Sequence, residues 1–382
     1  MTRPRPSTRY RLGVAVAAVL LLAASCGDDA TQSTAQEELG EPTTSLAAEP
    51  SETVAPTTAA DSPTTKPPEA EPSATNEGVA EPTTTAAPVS AAAQPTGPGC
   101  ESLEPGVTSL TMTSGGADHP VRIFVPSGFA GEPLPVVVNW HGLGSNGPEQ
   151  ATYSGYETVA ESEGFIAVHP TGVPAPGNNQ NSWELADAQD PTRDDLAFAV
   201  ELFDDLVASW CVDDDRIFST GMSNGGFFTA RLVCEIPERL AGAISVAGVF
   251  HPPGCSPSET VPFMAFHGTA DGVVPFDGSG ESSLAEPGDQ ASAEFFSQIM
   301  PDEFSEFAAD AGCGPVEETE VSVEVIRFDY PDCGVPMAFF EVVDGGHTWP
   351  GSPLAAMTQV LGFTTDDVSA TVDGWAFFES VS

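Results

Sequence analysis

Gly-Met-Ser-Asn-Gly at residues 221–225 is the stretch of this 382-residue chain that decides its fold. It follows a strand-like run at 216–220 and precedes a helix-like run at 224–235. A G-x-S-x-G sequence between a strand and a helix predicts a turn so tight that only glycine fits at its flanking positions. Such a turn presents the Ser223 hydroxyl at the first turn of a helix, where free N–H groups favour developing negative charge. Ser223 is therefore a candidate nucleophile; the alternative is an ordinary serine in a glycine-rich turn.

The residues after Ser223 supply a candidate base and a candidate acid. A serine hydroxyl needs a general base that a carboxylate orients, and after a turn of this kind the chain order is Ser, then Asp or Glu, then His. The apolar run at 261–266 predicts a buried strand that ends in His-Gly-Thr-Ala-Asp, which places Asp271 on the loop beyond it. An acid on this loop leaves only His347 further along the chain, so His347 is the predicted base. Asp277, later on the same loop, is the rival acid.

An oxyanion hole is expected from two backbone N–H groups. One is normally that of the residue after the nucleophile, here Asn224, and the other comes from the loop after the third strand. The strand Leu134–Trp140 runs into His-Gly-Leu-Gly, so Leu143 is the predicted second donor, with Gly144 next. His141 precedes the serine in the chain, and we expect it to order this loop by hydrogen bonding.

Three motifs together resemble a known family. They are Gly-Met-Ser-Asn-Gly-Gly at 221–226, His-Gly-Thr-Ala-Asp at 267–271 and Gly-Gly-His-Thr-Trp-Pro-Gly at 345–351. In these three motifs the chain resembles the esterase/polyhydroxybutyrate depolymerase group of α/β-hydrolases. That group includes feruloyl and acetylxylan esterases of carbohydrate esterase family 1 and actinobacterial lipoproteins. The resemblance covers most of 100–382, and it implies that Ser223, Asp271 and His347 form a catalytic triad.

Two tryptophans are candidate substrate-binding residues. The resemblance suggests that Trp349, and with it Trp183, line an acyl pocket, because both rings can stack on a phenolic group. The alternative for each is ordinary packing, since bulky aromatic side chains usually serve the core.

The N-terminal segment predicts export. Arginines precede a short apolar stretch at 12–24, which fits a signal peptide over residues 1–26 better than a permanent membrane span. Cys26 follows small residues and resembles the lipidated cysteine of a bacterial lipobox, although Ala23 stands where leucine is usual. We expect an extracytoplasmic protein with a lipid anchor at Cys26 on the bacterial cell surface; the alternative is ordinary cleavage and full secretion.

The rest of the chain divides into a linker and one domain. Residues 27–98 are rich in Thr, Pro, Ala, Glu and Ser, and such a composition cannot bury enough apolar surface to fold. Residues 99–382 alternate strand-like and helix-like runs, including predicted helices at 154–163, 194–209, 291–311 and 366–379. This alternation predicts an α/β-hydrolase fold, with a mostly parallel central sheet covered by helices on both faces. The candidate residues then lie beyond the carboxyl ends of the strands.

The cysteines agree with export. Apart from Cys26 there are six, and an even number in an exported domain favours disulfide bonds. Six cysteines allow 15 connectivities, and pairing the nearest sets first gives Cys234–Cys255, Cys313–Cys333 and Cys100–Cys211.

Charge excludes one class of partner. The formal net charge is −45, and the single lysine, Lys66, lies in the linker, so a nucleic-acid partner is not expected. The acidic run at 213–215 lacks the spaced ligands of a calcium loop, and no metal or cofactor is predicted.

These observations predict a serine esterase that acts through an acyl-enzyme. The resemblance implies feruloyl or acetyl esters of plant polysaccharide, or short polyhydroxyalkanoate oligomers, as substrates. A serine peptidase of the same fold and a surface binding lipoprotein on a hydrolase scaffold are the alternatives.

Overall fold

The computed structural model describes residues 99–174, 179–186, 192–284, 290–354 and 358–382, without the side chains at 291, 292, 358 and 359. The predicted signal peptide, Cys26 and the linker lie outside the described residues. Within the described ranges, no helix combines the length and the apolar character needed to cross a membrane.

Ten strands form one large sheet and two more form a small ribbon. The strands are β1 Gly106–Ser114, β2 Ala117–Val125, β3 Leu134–Trp140, β4 Ile166–Pro170, β5 Val173–Pro174, β6 Asn181–Ser182, β7 Val212–Met222, β8 Gly242–Val246, β9 Phe263–Gly268, β10 Glu317–Glu320, β11 Val325–Asp329 and β12 Met337–Val342. The order in the large sheet is β1-β2-β4-β3-β7-β8-β9-β12-β11-β10, and β5 pairs with β6. The six strands from β4 to β12 in this order are parallel, and the flanking pairs are antiparallel. The mostly parallel α/β-hydrolase sheet is confirmed.

The helices differ from the predicted ones mainly where glycine or proline interrupts them. They are α1 Gly147–Ser154, α2 Tyr156–Glu163, α3 Asp195–Ser209, α4 Asn224–Glu235, α5 Gln290–Phe295, α6 Met300–Asp310, α7 Thr358–Leu361 and α8 Val372–Ser380, with a short 3-10 helix at Pro237–Arg239. Gly155 has a φ of 73° and ends α1, and its N–H bonds to Ala151 O. The helical region predicted around 291–311 contains two helices, and α6 begins beside Pro301. The helix predicted from 366 begins only at Val372.

Apolar side chains cover both faces of the sheet. Val136 and Val138 point into one hydrophobic cluster, and Val137 between them points into the other; all three are fully buried. Successive residues of a strand face opposite sides, so a strand that is apolar at every position must be covered on both. This burial agrees with the prediction of helices on both faces.

Three disulfide bonds join the described cysteines. They are Cys100–Cys211, Cys234–Cys255 and Cys313–Cys333, the pairs that the sequence analysis predicts. The first closes a loop with a sequence separation of 111 and ties the start of the domain to the residue before β7.

Three buried histidines lie in or next to adjacent strands of the sheet. His119 is in β2, His169 is in β4 and His141 follows β3, and none is exposed. Desolvation by burial lowers the pKa of each to about 4. Each imidazole is therefore neutral in the folded protein and takes up a proton on unfolding between pH 6.5 and 4.

Stability is expected to fall as the pH falls from 7 to 5, because the unfolded state then binds more protons than the folded state. Asp195 has the opposite effect on stability. Burial raises the pKa of its carboxyl to about 6, so this group destabilises the folded state less as the pH falls. We expect a net loss of about 4 kcal/mol in the free energy of unfolding between pH 7 and pH 5, which urea denaturation at the two pH values would measure.

His169→Met is the matched variant for this measurement, because both ring nitrogens of the buried His169 have no hydrogen-bond partner among the described residues. It should remove about 2 kcal/mol of the acid loss. A free energy of unfolding that is equal at pH 7 and pH 5 would contradict the account.

Candidate active site

The turn between β7 and α4 holds Ser223 in an uncommon backbone conformation. Its φ is 55° and its ψ is −120°, a backbone conformation that residues other than glycine rarely adopt. Such a conformation costs on the order of 1–3 kcal/mol of conformational energy. The Ser223 N–H donates to Val246 O at 2.8 Å in the adjacent strand, and Ser223 O accepts the Phe227 N–H at 2.9 Å. These backbone bonds fix the serine between the end of a strand and the first turn of a helix.

The glycines of this turn allow neighbouring backbones to touch. A Cβ atom at Gly221 would lie 2.3 Å from Gly225 O, and a Cβ atom at Gly225 would lie 2.2 Å from Trp140 O. No side chain tolerates such distances, so both positions require glycine. The predicted tight strand–turn–helix is therefore what the structure contains.

The predicted base and acid lie in direct contact. His347 Nδ1 is 2.8 Å from Asp271 Oδ2, and both side chains are almost completely buried. This bond leaves Nε2 as the ring nitrogen that can receive a proton from a hydroxyl. Asp277, the rival acid, accepts the N–H of Ser279 on its own turn instead. Of the two candidate acids, Asp271 is therefore the one in contact with His347.

Asp271 is an ionised carboxylate in a buried position. Burial alone would raise its pKa, but the charge of His347 and hydrogen bonds from His267 and His347 outweigh burial and hold the pKa well below its usual range. The N–H groups of Val273 and Val274 both donate to Oδ1 at 2.8 Å. A fixed negative charge next to an imidazole stabilises the imidazolium that forms when the ring accepts a proton.

Backbone contacts join the loop after β9, which carries Asp271 (the acid loop), to the loop after β12, which carries His347 (the base loop). Gly268, at the end of β9, lies so close to Gly345 that an added Cβ would be 2.2 Å from its carbonyl oxygen. The Ala270 N–H donates to the same oxygen at 2.8 Å. On its other side the base loop is held by the His347 N–H, which donates to Leu361 O at 2.8 Å. The contact between Asp271 and His347 is thus built on backbone bonds.

The loop after β3 lies against Ser223 and is ordered by His141. A Cβ atom added to Gly142 would lie 3.4 Å from Ser223 Cβ and 3.9 Å from its Oγ. His141 Nε2 accepts the Gly172 N–H at 2.9 Å, so Nδ1 carries the ring proton and donates to Gly142 O at 2.7 Å. Because a trans peptide points its C=O and N–H in opposite directions, this bond also fixes the direction of the Leu143 N–H.

Gly144 is not available as an oxyanion donor. Its N–H donates to Asn181 O at 2.8 Å. Of the two residues that the sequence offered for this role, Leu143 is therefore the one whose N–H remains a candidate.

The side chain of Asn224 has a contact that the sequence analysis missed. Its Oδ1 accepts the Trp183 N–H at 2.6 Å, and its Nδ2 donates to Trp183 O at 3.0 Å. This pair of bonds fastens the loop around residue 183 to the first residue of α4. An asparagine after a G-x-S turn carries no signal of a partner 41 positions earlier in the chain.

Trp183 and Trp349 are core residues, contrary to the predicted pocket. Their exposed fractions are 2% and 0%, and Trp183 stacks on Phe228 with ring centroids 5.4 Å apart. The Trp183 indole N–H donates to His141 O at 3.0 Å, and that of Trp349 donates to Thr371 Oγ1 at 2.9 Å. Rings enclosed in this way contact protein and not substrate, so we assign both to packing beneath the site.

Trp349 also anchors the loop that carries His347. Its N–H donates to the hydroxyl of Tyr153 in α1 at 3.1 Å. Thr371, which accepts its indole N–H, donates in turn to Ser154 O at 2.6 Å. The base loop is therefore fastened to α1 by both the backbone and the side chain of Trp349.

One group of described residues has its potential metal-ligand atoms within 4.8 Å of one another, namely His251, Cys255 and Asp310. Cys255 is in a disulfide bond with Cys234, so it offers no thiolate, and His251 Nε2 is already 2.9 Å from Asp310 Oδ2. This group is better described as a surface hydrogen bond than as a metal centre.

Comparisons with known proteins find that this chain is similar to ester hydrolases. Residues 130–286 match the family model described as phospholipase/carboxylesterase. A putative esterase, NocK, of Nocardia uniformis subsp. tsuyamanensis is 29% identical over 258 residues, which cover 63% of this chain and 72% of that protein. A probable feruloyl esterase C of Aspergillus niger is 26% identical over 293 residues, covering 74% and 90%. The solved acetyl xylan esterase from Aspergillus awamori is 17% identical, with 66% and 97% covered and a TM-score of 0.45.

Trp349→Phe tests the assignment of this ring to packing. The variant loses one buried hydrogen bond, so we expect a stability loss of about 1 kcal/mol. Because the ring does not contact the acyl group, kcat/KM for methyl ferulate and for p-nitrophenyl acetate should change by the same factor. A selective loss on methyl ferulate of about tenfold, or about 1.4 kcal/mol of binding to the phenolic ring, would return Trp349 to the substrate pocket.

Proposed function

Because this chain belongs to the α/β-hydrolase superfamily and is a carboxylic ester hydrolase, we propose that it is an extracytoplasmic serine esterase with Ser223, His347 and Asp271 as its triad. The observation that carries this proposal is the buried hydrogen bond between His347 Nδ1 and Asp271 Oδ2, on loops that follow parallel strands of the same sheet as β7. A serine hydroxyl is a weak nucleophile, and a buried His–Asp pair later in the chain than the Ser223 turn supplies the base that activates it.

In the proposed mechanism, Ser223 Oγ attacks the ester carbonyl while His347 Nε2 takes its proton. Asp271 keeps the proton of His347 on Nδ1 and stabilises the imidazolium. His347 then gives the proton to the leaving alcohol, which departs from an acyl-enzyme on Ser223. Water activated by His347 attacks the acyl-enzyme and releases the acid.

The tetrahedral oxyanion is assigned to the N–H groups of Asn224 and Leu143. Asn224 is the first residue of α4, and the first N–H groups of a helix have no partner within the helix. The Leu143 N–H is directed by the bond from His141 to Gly142 O. Preorganised donors of this kind are worth on the order of 3 kcal/mol each in the transition state.

The proposed substrates are feruloyl or acetyl esters of plant polysaccharide, or short polyhydroxyalkanoate oligomers. The name of the Aspergillus niger relative supports the feruloyl choice. Three disulfide bonds support an oxidising compartment, and the sequence around Cys26 supports a lipid anchor there.

The test is hydrolysis of p-nitrophenyl acetate, methyl ferulate and hydroxybutyrate oligomers by the purified protein and its variants. Ser223→Ala removes the nucleophile, and Asp271→Asn removes the charge that orients His347. We expect kcat to fall by about 10⁴-fold or more in both.

Asp277→Asn is the matched control, because Asp277 lies later on the same loop and its carboxylate accepts the Ser279 N–H on its own turn. It should retain activity within about twofold, as expected for an exposed substitution that touches no partner of the triad. Activity that survives in Ser223→Ala, or that depends on Asp277 instead of Asp271, would refute the assignment.

A further inference from the structure

Asp271 is contacted by two histidines. His347 donates to Oδ2 from the base loop, and His267 Nε2 lies 3.3 Å from the same oxygen. His267 is in β9, four residues before Asp271, and neither of these two side chains is exposed. The proposed mechanism leaves His267 without a role.

The hydrogen-bond partners of His267 fix its tautomer. Nε2 lies 2.9 Å from Val274 O and 3.3 Å from Asp271 Oδ2, and both of these atoms are acceptors. Nε2 must therefore carry a hydrogen that the two acceptors share. Nδ1 is buried and has no hydrogen-bond partner among the described residues. The His267 imidazole therefore contacts the loop after β9 through a single N–H group.

That N–H group closes a ring of hydrogen bonds around the carboxylate. Val274 donates its N–H to Asp271 Oδ1 at 2.8 Å and accepts the His267 N–H on its carbonyl oxygen. The Val273 N–H donates to Oδ1 as well, at 2.8 Å. Oδ1 is bound to two backbone N–H groups, and His267 Nε2 lies 3.3 Å from Oδ2, so Oδ2 is held as the oxygen that faces His347.

We propose that His267 is a positioning residue of the esterase, which holds Oδ2 of Asp271 in line with His347 and shares the charge of that oxygen. The inference rests on the proposed triad. Because the N–H group of His267 also contacts Oδ2, it partly neutralises the charge of the carboxylate. The carboxylate then stabilises the His347 imidazolium less strongly. Its loss has two consequences: Asp271 loses one of its restraints, and His347 faces a carboxylate whose charge is less neutralised.

The two consequences have distinct kinetic signatures. Loss of alignment lowers kcat without a change in KM, because neither histidine ring nor the carboxylate binds the ester in the ground state. Loss of charge sharing moves the acid limb of the pH profile of kcat/KM to higher pH, because the imidazolium becomes more stable. The titratable groups that face Asp271 in the described part of the chain are His267 from β9, His347 from the base loop and Tyr153 from α1. The profile therefore reports on few groups.

The test compares two amides that differ by one methylene group. In His267→Gln the side-chain amide nitrogen can occupy the place of Nε2 and donate to Val274 O and Asp271. In His267→Asn the amide nitrogen corresponds to Nδ1 and does not reach them. We expect His267→Gln to keep kcat within about threefold and the acid limb in place. His267→Asn should lower kcat by about 10- to 100-fold at unchanged KM and raise the midpoint of the acid limb by roughly 0.5 pH unit.

His169→Asn is the matched control, because His169 is equally buried and its ring nitrogens bond to nothing in the described residues. It removes a buried imidazole without touching Asp271, so the acid limb should stay in place. Circular dichroism and thermal unfolding establish that each variant is folded. If His267→Asn does not fold, His267→Gln decides: a folded Gln variant with kcat below about one tenth of the wild-type value overturns the inference.

Equal loss of kcat in the Gln and Asn variants at every pH, with the acid limb unmoved, would assign His267 to packing alone and overturn the inference. The Ser223→Ala variant separates this failure from failure of the proposed function. If Ser223→Ala retains the activity of the wild-type protein, the proposed triad itself is refuted. If activity requires Ser223 but is the same in His267→Gln and His267→Asn, only the positioning role of His267 is refuted.

Discussion

The backbone contact between Gly225 and the carbonyl oxygen of Trp140 is the constraint on which the site depends. It brings the first turn of α4 against the end of β3, at a distance that no Cβ atom allows. The same contact holds Ser223 in a backbone conformation that would otherwise be unfavourable. It also places the loop after β3 beside the serine, because that loop begins at the residue after Trp140. Ser223, Asn224 and the Gly142–Leu143 peptide, the proposed nucleophile and oxyanion donors, are thus positioned by one close approach of two backbones.

Buried polar contacts do the remaining positioning. Asp271 has donors on both oxygens, His141 directs the Gly142–Leu143 peptide, and Trp349 fastens the base loop to α1. Each of these groups is removed from water, where a hydrogen bond is strong and an unpaired polar group is costly. Preorganised polar groups are how enzymes stabilise charge that develops only in the transition state.

The sequence predicted what chain order and local spacing determine. The sheet, the serine turn and the pairing of His347 with the acid on the β9 loop follow from motifs and from strand–helix alternation, and the structure contains all three. Asn224 and Trp183 lie 41 positions apart and no local signal connected them, so their contact was missed. His267 and Asp271 are only four positions apart, but the motif did not show that the imidazole turns towards the carboxylate, so this contact was missed as well. The tryptophans were misassigned because an aromatic residue in a site motif looks the same whether it faces substrate or core.

Covalent labelling with a fluorophosphonate probe, followed by peptide mapping, tests the central claim most directly. The account predicts one adduct per folded molecule, on Ser223, with labelling slowed by about 10³-fold or more in His347→Ala because the hydroxyl loses its base. An unlabelled folded protein, or an adduct on another residue, would contradict it.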